Sequence, residues 1–236
     1  MKKILITGAS SGIGAATASL LHKQGHTLAL SARNEAKLQA LADQLGDRVS
    51  IHPCDVRDHN QARSSVAAAV EAMGGLDVLL NNAGLGYFDP LADGNLEQWH
   101  TMVDTNIKGV LNFLHASLPH LRQGFGHVVN VGSVASHHVF PNSGVYCATK
   151  WAVLALSESI RTELANEVKV TTISPGAVNT AFVDQTTNQE LLKEYKTYFS
   201  KGLPVERIAE AIRMAIETPD DALVSEIIVR PNRARG

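Results

Sequence analysis

Only two cysteines, Cys54 and Cys147, occur in the 236 residues. No CxxC pair and no His/Cys cluster is present, so neither a disulfide framework nor a structural zinc is expected. A reduced, cytoplasmic setting follows from the same scarcity. No stretch approaches the roughly 18 consecutive apolar residues of a membrane span. The apolar run behind Lys2 and Lys3 is too brief for a signal peptide. Neither sign of charge dominates, with a formal net charge of -2. That excludes the electrostatic footprint of a nucleic-acid or anionic-membrane partner. The basic tail Arg230, Arg233, Arg235 is short and proline-broken, and reads as solvated. There is no linker, repeat or low-complexity segment, so residues 1–236 read as a single domain.

What the chain has is alternation. Short aliphatic and β-branched runs recur: KILIT, TLALS, VSIHP, LDVLLNN, GHVVNVGS, VKVTTISP and VSEIIVRP. Between them, helical spacing predicts helices over Ala15–Gln24, Glu35–Leu45, Gln61–Met73, Leu96–Leu118 and Val145–Leu164. Continuous apolar strands separated by amphipathic helices make an α/β fold, a doubly wound, seven-stranded parallel sheet with helices on both faces. Asp184–Lys201 breaks the pattern: it is polar, with Tyr195, Tyr198 and Phe199 at near-helical spacing. It reads as a helical excursion, and the segment at about 181–203 as a substrate lid.

The first strand runs straight into TGASSGIG, Thr7 to Gly14. Glycine loses the most backbone entropy on folding and packs nothing, so the bare backbone must be wanted. Gly8, Gly12 and Gly14, in a strand-to-helix turn, let a phosphate approach main-chain amides at the positive end of a helix. In dinucleotide folds an acid near the end of the second strand binds the adenosine ribose, whereas an arginine there accommodates a 2′-phosphate. Here that place reads LALSARNEAKL: Ala32 takes the acid's position and Arg33 follows. Asn34 suits the cap of the next helix, with Glu35 inside it. NADP(H) is therefore expected over NAD(H).

YCATK places Tyr146 and Lys150 at i, i+4, on one helix face. An ammonium beside a phenol favours the phenolate, and a tyrosine brought toward neutrality serves as general acid or base. Ser133 in NVGSVAS, Asn82 in NNAG and Pro175–Gly176 in SPG all end strands, where ligands of open α/β sheets bind. Taken in this order and spacing, TGxxxGxG, NNAG, Asn106 in DTNIKG, Ser133, YxxxK and PG followed by Thr180 resemble the compact short-chain dehydrogenase/reductase family. The match covers almost the whole chain, from Lys3 to about Arg230.

That resemblance implies a Rossmann fold and a set of roles. Tyr146 would exchange a proton with the substrate oxygen, and Lys150 would lower its pKa and bind the nicotinamide ribose. Ser133 would polarise the carbonyl. Asn106 would disturb its helix and hold a water in a proton relay. Ser10, Ser11 and Ile13 would meet phosphates and riboses, and Asp55 and Val56 the adenine. Asn82, Ala83 and Gly84 would flank the nicotinamide ribose. Pro175 and Gly176 would close that side, and Val178 and Thr180 would grip the carboxamide. Ser11 stands where some NADP-using relatives carry a basic residue, which leaves Arg33 to read the 2′-phosphate. Asn81 and Asn82 also suit a structural role, tying strands together, and Asp55 suits a turn cap. No metal is expected.

Tyr87, His137, His138, Phe140, Cys147 and Phe182 are candidates to line a pocket for a small, partly apolar carbonyl or alcohol substrate. The histidines would suit an acidic substrate group; Cys147 reads as packing. The resemblance implies a homodimer or homotetramer built on the two long helices, with Trp99, Val103, Val110, Phe113, Trp151 and Leu154 supplying surplus apolar surface. The leading expectation is an NADP-dependent carbonyl reductase or alcohol dehydrogenase. A non-catalytic NADP-binding regulatory protein is the alternative, and isomerisation or dehydration with a retained cofactor a third.

Overall fold

The structure, a computed structural model, describes residues 1–232; Arg233 and Arg235 of the tail lie outside the described residues. Seven strands form one sheet: β1 (Lys3–Thr7), β2 (Thr27–Ala32), β3 (Val49–Pro53), β4 (Val78–Asn81), β5 (Gly126–Val131), β6 (Val168–Pro175) and β7 (Glu226–Val229). Every pairing is parallel, in the order β3-β2-β1-β4-β5-β6-β7. The order reverses beside β1, which pairs with both β2 and β4. A crevice therefore opens beyond the carboxyl ends of β1 and β4.

The helices are α1 (Gly12–Lys23), α2 (Glu35–Leu45), α3 (His59–Met73), α4 (Leu96–Val103), α5 (Gly109–Leu121), α6 (Gly144–Glu163), α7 (Gln189–Ser200) and α8 (Val205–Glu217). Strand alternation sorts them onto two faces. Ile4 and Ile6 pack on one face with Leu21 of α1, Leu38 of α2 and Ile212 of α8. Leu5 points the other way and joins Val66 of α3, Phe113 of α5 and Val153 of α6. Burying an aliphatic side chain of this size stabilises the fold by about 1.5–3 kcal/mol.

The expected helices differ from the observed ones where side-chain caps or the turn decide. Asn34 accepts the Lys37 amide and starts α2 at Glu35, as expected. Asp58 accepts the amides of Asn60 and Gln61, which starts α3 at His59 rather than Gln61. The expected single helix from Leu96 to Leu118 is α4 and α5 joined by one π-helical stretch, Asp104–Lys108.

The expectation that Val110 and Phe113 leave apolar surface uncovered is corrected. Both are buried, Phe113 completely, in the face shared by α3, α5 and α6. Trp99, Val103 and Leu154 are half-buried. Trp151 is the large exposed residue of the six, at 47%. No helix among the described residues is long and apolar enough to cross a membrane.

One buried group ties the fold to pH. His127 on β5 bonds the Thr171 hydroxyl on β6 at 2.8 Å, and that hydroxyl donates to the Val224 carbonyl. The ring is therefore the donor from Nε2, and its Nδ1 finds no partner among the described residues. Burial, with the nearby Lys169 and Lys2 charges, pulls its pKa from 6.5 down to about 3. The unfolded chain takes up this proton below pH 6.5 and the folded one does not. Stability from this group is thus complete above pH 6.5 and falls as pH drops toward 3, with a slope on the order of 1 kcal/mol per pH unit. Urea unfolding at pH 7.5, 6 and 5 should show a steeper loss for the native chain than for His127→Asn, which does not titrate.

Candidate active site

The glycine turn is bent by its own backbone. Gly8 and Gly12 adopt φ of +66° and +55°, which L side chains rarely do. Gly14 answers a different demand: a Cβ there would stand 2.3 Å from the Gly8 carbonyl oxygen and 2.6 Å from Asn82 Nδ2. Helix α1 can approach the turn this closely only without a side chain. The Ser11 side chain makes no capping bond, and the first turn of α1 holds no acid. Its leading amides are left for an anion at the positive end of the helix dipole.

NNAG locks onto the same turn. The amides of Asn82 and Ala83 both donate to Thr7 Oγ1, at 3.0 and 3.1 Å. Asn82 Nδ2 donates to the carbonyls of Thr7 and Gly8. Asn81 donates across to Asn130 on β5 at 2.9 Å, the strand-tying role weighed for it. The hydroxyl of Thr7, the first residue of TGxxxGxG, joins the two loops.

These loops floor one cavity of about 990 Å³. Its walls include Gly8, Ser10, Ser11, Gly12 and Ile13 from the turn. Arg33, Asp55 and Val56 close the end beyond β2 and β3, and Asn82, Ala83 and Gly84 the middle. Ser133, Tyr146, Lys150, Pro175, Gly176, Val178 and Thr180 complete it on the β5–β6 side. Of the expected site residues, Gly14 and Asn106 stand behind this lining rather than in it. Asp55 binds Arg57 through both carboxylate oxygens, which holds its pKa below the ordinary value. Arg33 is exposed at the rim, and no hydrogen bond or ion pair holds it among the described residues.

Ser133, at the end of β5, caps a short 3-10 turn, accepting the Ala135 amide while Ser136 Oγ accepts the Ser133 amide. Its hydroxyl donates to the Pro175 carbonyl at 3.5 Å and stands near enough to the Tyr146 phenol to favour its ionised form. Asn106 is 1% exposed at the centre of the π-helical stretch. It accepts the Leu85 amide at 2.9 Å and donates to the Leu85 carbonyl and to Thr149 Oγ1. Thr149 donates in turn to the Tyr146 carbonyl. The extra residue in the helical turn points Asn106 inward against α6, consistent with π-bulges at functional sites. A Cβ on Gly84 would lie 3.3 Å from Asn106 Oδ1 and 3.5 Å from Lys150 Nζ, so both flank the same bare backbone.

The expected lowering of the Tyr146 pKa by Lys150 is corrected. Burial pushes the phenol up to about 12, the Ser133 hydroxyl only partly opposing it. Burial also brings Lys150 down to about 8. Lys150 Nζ donates to the Val131 carbonyl at 2.8 Å and stands 5.9 Å from the tyrosine ring centre. Spacing of i, i+4 placed the two on one face but could not show that a strand-end carbonyl takes the ammonium.

The pocket candidates divide. Phe140 and Phe182 line the cavity; Tyr87, His137, His138 and Cys147 do not. Phe88, one residue beyond Tyr87, faces inward instead and stacks 5.8 Å from Tyr146. His137 sits 2.7 Å from Glu226 at the start of β7. Cys147 is buried against Ser143 and is a free thiol, the packing role expected for it.

Residues 181–203 form an excursion closed at its base. Leu203 bridges Val178 and exchanges backbone bonds with Ala177 and Asn179. Helix α7 lies over the cavity and leaves no residue fully buried. Tyr195 Oη donates to the Pro141 carbonyl at 3.2 Å, and Gln98 donates to Thr187 at 2.9 Å.

The chain matches the short chain dehydrogenase family over residues 2–191. It is 40% identical over 236 residues to an uncharacterised oxidoreductase of Staphylococcus saprophyticus, covering 98% of this chain and 96% of that one. Among solved structures it resembles an alcohol dehydrogenase from the archaeon Thermococcus sibiricus, complexed with 5-hydroxy-NADP. Identity is 34% and the TM-score 0.89, covering 100% of this chain and 99% of that chain. A short chain dehydrogenase/reductase from Burkholderia phymatum in complex with NAD is 28% identical with a TM-score of 0.89, covering 96% and 88%. The chain belongs to the short-chain dehydrogenase/reductase family and is an oxidoreductase of that family that uses a nicotinamide cofactor.

The Asn106 contacts predict a stability effect separate from chemistry. Asn106→Ala strands the Leu85 amide and carbonyl in a buried position. Such a loss costs about 2 kcal/mol or more. Chemical denaturation should show it without any substrate, and an unchanged midpoint would remove Asn106 from its bracing role.

Proposed function

We propose that the protein is an NADP(H)-dependent carbonyl reductase or alcohol dehydrogenase, with Tyr146 as the proton donor. The observation that carries this reading is the meeting of Ser133, Tyr146 and Lys150 in the cavity whose other end is the glycine turn. The side-chain-free approach at Gly14 and the uncapped end of α1 fit a dinucleotide's pyrophosphate. Gly8, Ser10, Ser11, Gly12 and Ile13 would hold it, and Asn82 to Gly84 with Lys150 would hold the nicotinamide ribose. Pro175, Gly176, Val178 and Thr180 would border the ring, with Asp55 and Val56 at the adenine. When bound, the reduced cofactor supplies a hydride to the carbonyl carbon.

The chain's own groups do the rest. Ser133 donates to the substrate oxygen and stabilises charge as the C=O double bond opens. Tyr146 then gives its phenolic proton to that oxygen, forming the alcohol. A phenol with a pKa near 12 is still a far stronger acid than an alcohol, so the transfer runs toward the alkoxide. Lys150, cationic beside it, offsets the phenolate that remains, and Asn106 braces the loop and helix that position both. The lid, residues 181–203 within one domain spanning 1–236, would exclude water during transfer. The half-exposed Trp151 on α6 supports assembly as a homodimer or homotetramer.

Tyr146→Phe should lower carbonyl reduction at least about a hundredfold, the scale of a lost general acid. Cofactor affinity, read by fluorescence titration, should change less than about threefold. Retention of most of the rate would reject the proton-transfer role. Cofactor binding with no turnover of any carbonyl by the native chain would favour the non-catalytic regulatory reading.

NADP(H) preference rests on Arg33 at the rim with Ala32 in place of an acid. Arg33→Ala should weaken NADPH binding about tenfold and NADH binding little, since one charge-assisted contact to the 2′-phosphate contributes about 1.5–3 kcal/mol. Tighter binding of NADH than NADPH by the native chain would overturn the preference.

A further inference from the structure

The substrate half of the cavity has a composition of its own. The chain holds two tryptophans, four tyrosines and six phenylalanines. Six of these, Phe88, Phe140, Phe182, Tyr195, Tyr198 and Phe199, line the cavity around Tyr146. All but Phe140 form a connected wall. Phe88 stacks on Tyr195 at 4.6 Å, Phe182 meets Tyr146 edge-on at 5.4 Å, and Phe199 meets Phe182 at 6.2 Å and Tyr198 at 5.4 Å. Offset and edge-on rings at these distances present both faces and edges to an incoming ring.

Charge is nearly absent from the same half. The charged side chains of the lining are Arg33, Asp55, Lys150 and Glu194. Arg33 and Asp55 lie at the far end, beyond β2 and β3. Lys150 is at the reacting centre and is engaged by the Val131 carbonyl. Glu194 on α7 is therefore the one charge on the substrate side, and it is acidic. The two histidines that could have received an acidic substrate are elsewhere: neither lines the cavity, and His137 is held by Glu226.

We infer that the substrate is an uncharged aryl ketone or aldehyde, and that this pocket rejects carbonyl compounds bearing a carboxylate. The inference rests on the reaction proposed above but concerns recognition, so binding can test it apart from turnover. A carboxylate entering the ring wall would lose hydration with no cation to replace it. Glu194 adds repulsion, screened by salt because it is exposed.

The test is calorimetric titration of three ketones of one frame into the protein–NADP+ complex, where the redox states forbid reaction. Acetophenone should bind about tenfold tighter than 4-acetylbenzoate, and about fivefold tighter than cyclohexyl methyl ketone, which keeps the carbonyl but removes the ring. Glu194→Lys should shift the affinity ratio about fivefold toward 4-acetylbenzoate, less at high salt. Equal or tighter binding of 4-acetylbenzoate, equal binding of the cyclohexyl ketone, or no binding of any of the three overturns the inference. Acetophenone binding with this selectivity, but no NADPH oxidation in a parallel assay, supports the inference while overturning the proposed reaction.

Discussion

The Gly8 carbonyl and the backbone of α1 come so close at residue 14 that no Cβ fits between them. Much of the site follows from this approach. It aims the amide end of α1 along the reversal point of the sheet, and it leaves room for Asn82 to reach both Thr7 and Gly8. Thr7 then accepts the Ala83 amide and shares the Asn82 amide with the Leu80 carbonyl. The turn and the loop thus support each other, and a cavity forms where the connections leaving the paired strands β1 and β4 pass to opposite faces of the sheet.

A second brace stands behind the first. Asn106 satisfies both main-chain groups of Leu85 and passes through Thr149 to the carbonyl of Tyr146. Buried polar chains of this kind are stable only when every member has a partner. The π-helical turn supplies the geometry by rotating Asn106 inward, where an unbroken α-helix would present a neighbour instead. The position of the phenol is therefore set by the NNAG loop and the long helix before it as much as by its own helix.

The sequence was legible where local rules decide. Apolar runs marked all seven strands, though the pairs in LDVLLNN and VSEIIVRP trimmed them to Val78–Asn81 and Glu226–Val229. Asn34 announced its helix, and the strand-end motifs fell on one sheet edge as an all-parallel sheet requires. What was illegible depends on contacts across the fold. Phe113 has the helical spacing of an exposed stripe and of a core stripe alike, and only the packing of α3 against α5 buries it. Tyr87 and Phe88 are both aromatic, and the loop's path selects which one turns inward. His137 reads as a pocket residue until β7 brings Glu226 beside it.

The same distinction governs the central pair. Tyr146 and Lys150 are placed together by helix geometry, but their protonation is placed by burial. Burial removes water from both, which raises the acid and lowers the base. At neutral pH the phenol keeps its proton, and Lys150, with a pKa near 8, remains mostly cationic against the Val131 carbonyl. The resting pair is thus a protonated phenol and an ammonium, each held in that state by its own surroundings.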